Sequence, residues 1–297
     1  MTAQKSSDSS SDPSSVPHEI RIERKDGIRW LDWREFVEYR DLLWTLVRRD
    51  FVARYKQTIL GPVWFLFQPL VTILVFGVVF GSVVKIPTDG VPPPLFYMAG
   101  LLGWNFFLSI FQTTSVTLTS NAQLFGKVYF PRLIVPLAAV FGNLLNYFLQ
   151  LLLFGALFLY YKVRLGAGMS IGMPLLGLPL LLASIAAVMM IGLGMGLLVC
   201  GMTVRFRDLH HLIPLFSQLL FYVTPIVYPL TQAPEKWRWL FALNPMSGVV
   251  ELGRYSLLGT GHLAAGTVLL VFAEAVVLLA AGILCFERVQ RSYIDTV

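Results

Sequence analysis

The stretch GPVWFLFQPLVTILVFGVVFGSVV, residues 61–84, contains no Asp, Glu, Lys or Arg. A helix needs about 20 predominantly apolar residues to cross the hydrocarbon core of a bilayer. An uncharged run longer than that reads as a membrane span, with Pro62 in the first turn, where a missing N–H is tolerated. Five further apolar blocks follow, at about residues 95–120, 133–161, 174–202, 212–230 and 264–286. The pattern predicts an all-α membrane protein with six transmembrane helices.

Composition points the same way. The 297 residues are 56% hydrophobic and 13% charged, whereas a soluble domain carries roughly 45–50% apolar and about 25% charged residues. The net charge of +6 does not form a basic domain. Its cations flank the apolar blocks, where lipid headgroups lie, so nucleic acid is not an expected partner and membrane lipid is. Cys200 and Cys285 both fall inside apolar blocks, which suggests neither a disulfide framework nor a thiolate metal site. The opening MTAQKSSDSSSDPSSVPHEI (1–20) is Ser-rich and lacks the apolar core of a cleavable signal. Residues 1–35 read as a disordered polar tail, 36–290 as the transmembrane domain and 291–297 as a short C-terminal extension.

Ahead of the first span, FVEYRDLLWTLVRRDFVARYKQTIL (36–60) carries Tyr39, Leu43, Val47, Phe51, Tyr55 and Ile59 four apart. Arg40, Arg48, Arg49, Arg54 and Lys56 fall mostly off that line. This predicts an amphipathic helix over 36–58 lying in the membrane interface; packing on a soluble domain is the alternative. With a cytoplasmic N-terminus, the inner connections hold Arg48, Arg49, Arg54, Lys56, Lys127, Arg132, Arg205, Arg207, Arg288 and Arg291. The outer ones hold Lys85, Lys162, Arg164, Lys236, Arg238 and Arg254. The excess of cations inside places both termini in the cytoplasm, and NAQLFGKVYFPRL (121–133) becomes a cytoplasmic connection between spans two and three.

Residues 228–263 are too polar to cross and too apolar for a free loop. Trp237, Trp239 and Phe241 suggest a short aromatic turn. Asn244 followed by Pro245 reads as an N-cap and first helical residue, opening a helix to about Leu258 with Gly259 beyond it. Two short re-entrant helices dipping into the outer leaflet fit this segment; a surface helix resting on headgroups is the other reading. Glu251 and Arg254, three apart, could pair, though an exposed pair is worth little.

Chemistry of its own is hard to find in the chain. The only Gly-Lys pair, in GKV (126–128), lacks the rest of a phosphate-binding loop. GLGMGLLVCGM (192–202) has Leu197 where a dinucleotide loop needs Gly, and its Gly192 and Gly196 are spaced to let helices approach. In RFRDLHHLIP (205–214), His210 and His211 face different sides of a helix without a third ligand nearby, so no metal is expected. Polar groups inside the spans are more informative. Asn105, Ser109, Thr113 and Thr117 step by four beside Gln112, Asn143, Asn146 and Gln150 share a face, and Glu274 is an acid within a span. Such groups face a bundle interior or a water-filled path. Trp104, Asn105, Phe107, Ser109, Phe111, Gln112, Asn143 and Asn146 are therefore candidates to line a pathway. Interhelical bonding and lipid-facing bulk are the alternatives.

RRDFVARYKQTILGPVWFLFQPL (48–70), NAQLFGKVYFPRL, RFRDLHHLIP, TPIVYP (224–229) and LNPMSGVVELGRYSLLG (243–259) follow one another in an order that resembles the permease subunit of type-2 ABC exporters of bacterial polysaccharides. The resemblance runs from about residue 36 to 290. It implies a homodimer in the bacterial inner membrane, working with two copies of a separate ABC ATPase that holds ATP and Mg; this chain would bind no cofactor and catalyse nothing. The cargo would be a glycan linked to undecaprenyl diphosphate, such as an O-antigen. The segment with Leu124, Phe125, Lys127, Tyr129, Phe130 and Arg132 would be the ATPase-coupling helix, its aromatic residues as anchors and its cations as rim. Arg48, Arg49, Arg54 and Lys56 would meet the diphosphate headgroup, or simply anionic lipid. Trp237, Asn244, Pro245, Glu251 and Arg254 would belong to an outer gate. A permease for capsule, teichoic acid, drugs or lipids is the neighbouring alternative. A membrane-embedded glycan- or lipid-modifying enzyme needs clustered acids or histidines, and a secondary transporter needs repeats or paired ionisable groups.

Overall fold

A computed structural model describes residues 37–56, 61–127, 130–165, 174–206, 208–232, 235–261 and 263–294. The N-terminal tail expected over 1–35 lies outside them. Among the described residues the chain is helical, without strands. Its order is α1 (Arg40–Tyr55), α2 (Trp64–Phe76), α3 (Pro93–Ser115), α4 (Thr117–Ser120), α5 (Ala122–Lys127), α6 (Ile134–Leu165), α7 (Gly177–Arg205), α8 (Leu209–Val223), α9 (Arg238–Leu243), α10 (Pro245–Leu258) and α11 (Ala265–Ile294). A π-helical stretch, Gly77–Val83, prolongs α2.

Five helical segments are long and apolar enough to cross a bilayer: Leu66–Val83, Pro93–Ser115, Ile134–Leu165, Gly177–Arg205 and Ala265–Gln290. The chain is a multi-pass membrane protein. The expected sixth span, 212–230, is instead the shorter α8, with 15 residues. At 1.5 Å per residue it covers only about 22 Å. It stops because Pro225 cannot continue a helix and restricts Thr224 before it; Thr224 is already extended at ψ 133°. The second span, expected to reach 120, breaks at Val116 (φ −114°). There Ser115 and Thr117 donate their hydroxyls to the carbonyls of Phe111 and Thr113, at 2.7 and 3.1 Å, a local bond that competes with continued helix. The third and last spans run beyond their expected ends at 161 and 286, to Leu165 and Ile294, because helices continue into the interface where hydropathy no longer marks them.

α7 is the hub, packing on α3, α10 and, most extensively, α11. Its glycines explain why. Gly192 and Gly196 face α3, where a Cβ would lie 3.0 Å from Ile110 Cγ2 and 2.6 Å from Thr114 Cβ respectively. Gly194 faces α11, where a Cβ would come 2.6 Å from the Leu278 carbonyl, and Gly282 faces back onto the Gly194 backbone. Side-chain-free patches let these helices touch along their main chains. α3 supplies most of the remaining core, with Leu95, Phe96, Tyr97, Met98, Phe107 and Ile110 all at 0% exposure. By contrast α2 rests on α3 and α6 at the periphery, with Trp64, Phe67, Val71, Leu74 and Val78 exposed.

Candidate functional site

α1 packs along the start of α6. Leu46 and Val47 are buried against Phe130, Ile134, Val135 and Ala138, with Tyr39, Leu42, Leu43, Leu124 and Phe125 at the margin. The buried face thus follows steps of three and four, as an amphipathic helix should. The segment between α3 and α6 folds back on this cluster. The Phe125 and Phe130 rings lie 5.8 Å apart, and the Arg132 guanidinium stands 5.5 Å from the centre of Phe125. Arg132 also donates an Nη1 hydrogen bond to the Gln290 carbonyl at 3.2 Å. Phe130 is buried, Leu124 and Phe125 are half-buried and Gln123 is exposed. Lys127 ends α5, though its side chain, like all of Tyr129, lies outside the described residues.

Of the four cations proposed for a headgroup, Arg48 and Lys56 are exposed and Arg49 pairs with its neighbour Asp50 at 2.8 Å. Arg54 differs. Its Nη1 donates to Asn143 Oδ1 at 2.9 Å, Asn143 Nδ2 donates to Thr113 Oγ1 at 3.2 Å, and Thr113 Oγ1 donates to the Ser109 carbonyl. Farther along the same two helices, Asn105 Nδ2 donates to Gln150 Oε1 at 3.3 Å. A polar row therefore runs from the α1 arginine into the α3–α6 interface, where each hydrogen bond satisfies a group that lipid could not. The four-residue step in span two and the shared face of Asn143, Asn146 and Gln150 in span three marked the polar groups of this row, but gave no sign of Arg54 at its head.

The pathway candidates divide. Gln112 is exposed, and Asn105 and Ser109 are half-buried. Asn143 and Asn146 are buried, as are Trp104, Phe107 and Phe111. Trp104 packs on Phe107 and Phe221, both at 5.4 Å, and Phe107 stacks on Phe111 at 5.7 Å. In this conformation the three aromatic residues are enclosed by the helices of their own chain.

α10 is built as its sequence dictates. Asn244 Oδ1 accepts the Met246 N–H at 3.1 Å, Pro245 is the first helical residue, and Gly259 closes the helix with φ +68°. Asn244 also donates Nδ2 to Thr224 Oγ1 at 2.9 Å, which clips α10 to the end of α8. Trp237 is exposed. Glu251 and Arg254 are buried rather than exposed, at 7% and 2%. Arg254 Nη2 donates to the carbonyls of Pro225 and Ile226 at 3.1 and 3.0 Å, and its guanidinium lies 3.9 Å from the centre of the Phe96 ring. Burial lowers its pKa to about 10, with Glu251 and Asp89 opposing, so it stays a cation at neutral pH. The carbonyls it holds lie in the bend just past α8, outside any helical bonding pattern.

The family model described as "ABC-2 type transporter" matches residues 41–258. Among curated proteins, the chain is 29% identical over 270 residues to the O-antigen export system permease protein RfbA of Myxococcus xanthus, covering 89% of this chain and 98% of that one. It is 24% identical over 255 residues to the protein of the same name from Klebsiella pneumoniae, covering 86% and 94%. The polysialic acid transport protein KpsM of Escherichia coli is 24% identical over 223 residues, covering 74% and 82%.

Proposed function

Because the chain belongs to the ABC-2 type transporter family, we propose that it is the membrane-spanning subunit of an ATP-driven exporter of a bacterial polysaccharide, an O-antigen carried on undecaprenyl diphosphate. It works as a homodimer in the inner membrane with two copies of a separate ABC ATPase, which bind and hydrolyse ATP. α8 and the segment after it complete a sixth crossing, and α9 and α10 form re-entrant elements on the far side. What supports the cargo is the match to O-antigen permeases along nearly their whole length. The likeness to the polysialic acid transport protein keeps a capsular glycan as the second reading of the same mechanism.

The residues then take these roles. α5 meets the ATPase through Gln123, Leu124 and the open side of Phe125, with Lys127 and Tyr129 beside them. Phe130 and Arg132 hold α5 to α1, α6 and α11, so movement of the ATPase reaches three helices at once. Arg48, Arg49 and Lys56 face the arriving diphosphate. Arg54 and the row from Asn143 to Asn105 sit behind them, and Gln112, Asn105 and Ser109 offer hydroxyls and amides to sugar. Trp237, Asn244, Pro245, Glu251 and Arg254 serve the outer gate.

The test is co-purification with a Walker-containing ATPase, followed by ATP-dependent glycan export from reconstituted vesicles. Phe125→Ala combined with Tyr129→Ala is expected to leave the permease folded and to lower export by about tenfold or more, the loss typical of interface anchors. Normal export by the intact double variant would remove α5 from the coupling role. Failure to capture any ATPase, with export unaffected by nucleotide, would overturn the function itself.

A further inference from the structure

Between α10 and the first part of α11 lies a cavity of about 340 Å³, within the range of about 300–1,000 Å³ typical of ligand sites. Two helical stripes wall it. Ser247 and Glu251 stand one turn apart on α10, and Thr267, Leu270, Val271 and Glu274 occupy positions i, i+3, i+4 and i+7 of α11. The helices meet closely beside it because residue 248 is glycine, where a Cβ would overlap the Val271 side chain. Phe241 of α9 closes one side, its ring set edge-on to Tyr228 at 6.1 Å.

The chemistry of the wall decides what the cavity can hold. Glu251 is already committed, since it interacts with the buried Arg254 cation three residues on. Glu274 is the carboxyl group left for a ligand. It is half-buried on a helix apolar enough to span a bilayer, where lipid offers it no hydrogen bond. Ser247 is only 1% exposed, yet its Oγ has no hydrogen-bond partner, a state that buried hydroxyls rarely keep. Thr267 adds a second hydroxyl. An anion finds no counter-charge, because no Lys, Arg or His lines the cavity among the described residues. Those residues also include no group of three or more acidic, His or Cys side chains able to hold a metal. A primary ammonium, with three N–H donors, would meet a single carboxyl group. A neutral polyol matches better. Each of its hydroxyls both donates and accepts, so adjacent ones can donate to Glu274 while exchanging bonds with Ser247 and Thr267. The C–H face of a pyranose suits the electron-rich face of Phe241 and the apolar Leu270 and Val271.

We propose that this cavity binds one neutral pyranose unit, with Glu274 and Ser247 bonding adjacent hydroxyls and Phe241 against the C–H face of the ring. Assigning that sugar to the exported glycan, as a foothold on the far side of the membrane, rests on the export function proposed above. The binding itself does not.

The test uses the full-length protein in nanodiscs without an ATPase. It is titrated with the methyl glycosides of glucose, galactose, mannose and rhamnose, and binding is read by saturation-transfer NMR. At least one glycoside should bind, and 2-methoxytetrahydropyran, the same ring without its hydroxyls, should bind about tenfold more weakly. Glu274→Gln should raise the Kd of the bound glycoside about tenfold, the loss of one charge-assisted bond, and Ser247→Ala about threefold. Absence of binding by all of these sugars to the wild type overturns the proposal. So does equal binding of the hydroxyl-free ring, or an affinity unchanged in both variants. In vesicles that contain the ATPase, Glu274→Gln should also lower glycan export; full export despite lost sugar binding overturns the assignment to the glycan. Sugar binding by a chain that exports nothing counts against the export function and upholds the site.

Discussion

Arg254 shows how much one side chain can fix. Its guanidinium joins the ring of Phe96 on α3 to the carbonyls of Pro225 and Ile226, and so ties α10 to the end of α8. Removing it leaves buried carbonyls unpaired; a charged hydrogen bond contributes about 1.5–3 kcal/mol, and the cation–π contact adds about 2 kcal/mol when desolvated. Arg254→Ala is therefore expected to lower the thermal midpoint of the purified protein markedly. Arg254→Lys should recover less than half of the loss, because a point charge cannot stack on the ring while bonding two carbonyls. Full recovery by lysine would mean that charge alone matters here. This contact was not legible in the sequence, where Arg254 reads as a partner for Glu251. Its partners lie 28 and 29 residues away, and no local pattern reaches so far.

Among the elements, α10 and α7 were read best, since local chemistry defines both. Asn244, Pro245 and Gly259 mark the bounds of α10 without help from the rest of the chain. In α7 the glycine spacing announced close packing, although only the structure assigns Gly192 and Gly196 to α3 and Gly194 to α11. Gly194→Val should destabilise by about 3 kcal/mol, the upper end for overpacking a tight site. Gly155→Ala on α6 is the control: nothing lies within 4 Å of a Cβ there, and alanine favours helix by about 1 kcal/mol. Thermal unfolding of the two variants in one detergent checks the contrast. Equal midpoints would show that α7 and α11 can part without penalty. The aromatic residues were harder to read. Trp104, Phe107 and Phe111 occupy a polar-striped span, and only packing decides that they point into the core.

For the molecule as a whole, the count of crossings turns on α8. Five segments span without difficulty, which alone would put the two ends of the chain on opposite faces. The proposed sixth crossing by α8 and the stretch after it would return them to one face, in keeping with the cation distribution. A fluorescent-protein fusion at either end should therefore glow, and alkaline phosphatase fused to either end should stay inactive. Active phosphatase at the C-terminus alone would show that α8 does not cross. Hydropathy marked this block as apolar but could not show that Pro225 shortens the helix within it.

The contact between α7 and α11 has a mechanical consequence. Main chain lies on main chain at Gly194 and Gly282, with no interposed side chains to bend or change rotamer. Two helices joined in this way behave as one stiff column, since close-packed interiors compress little and transmit strain. Arg132 fastens α5 to Gln290 at one end of that column, and the cavity beside Glu274 lies toward the other. A push delivered to α5 therefore travels the length of α11 with little slack, like load through a strut.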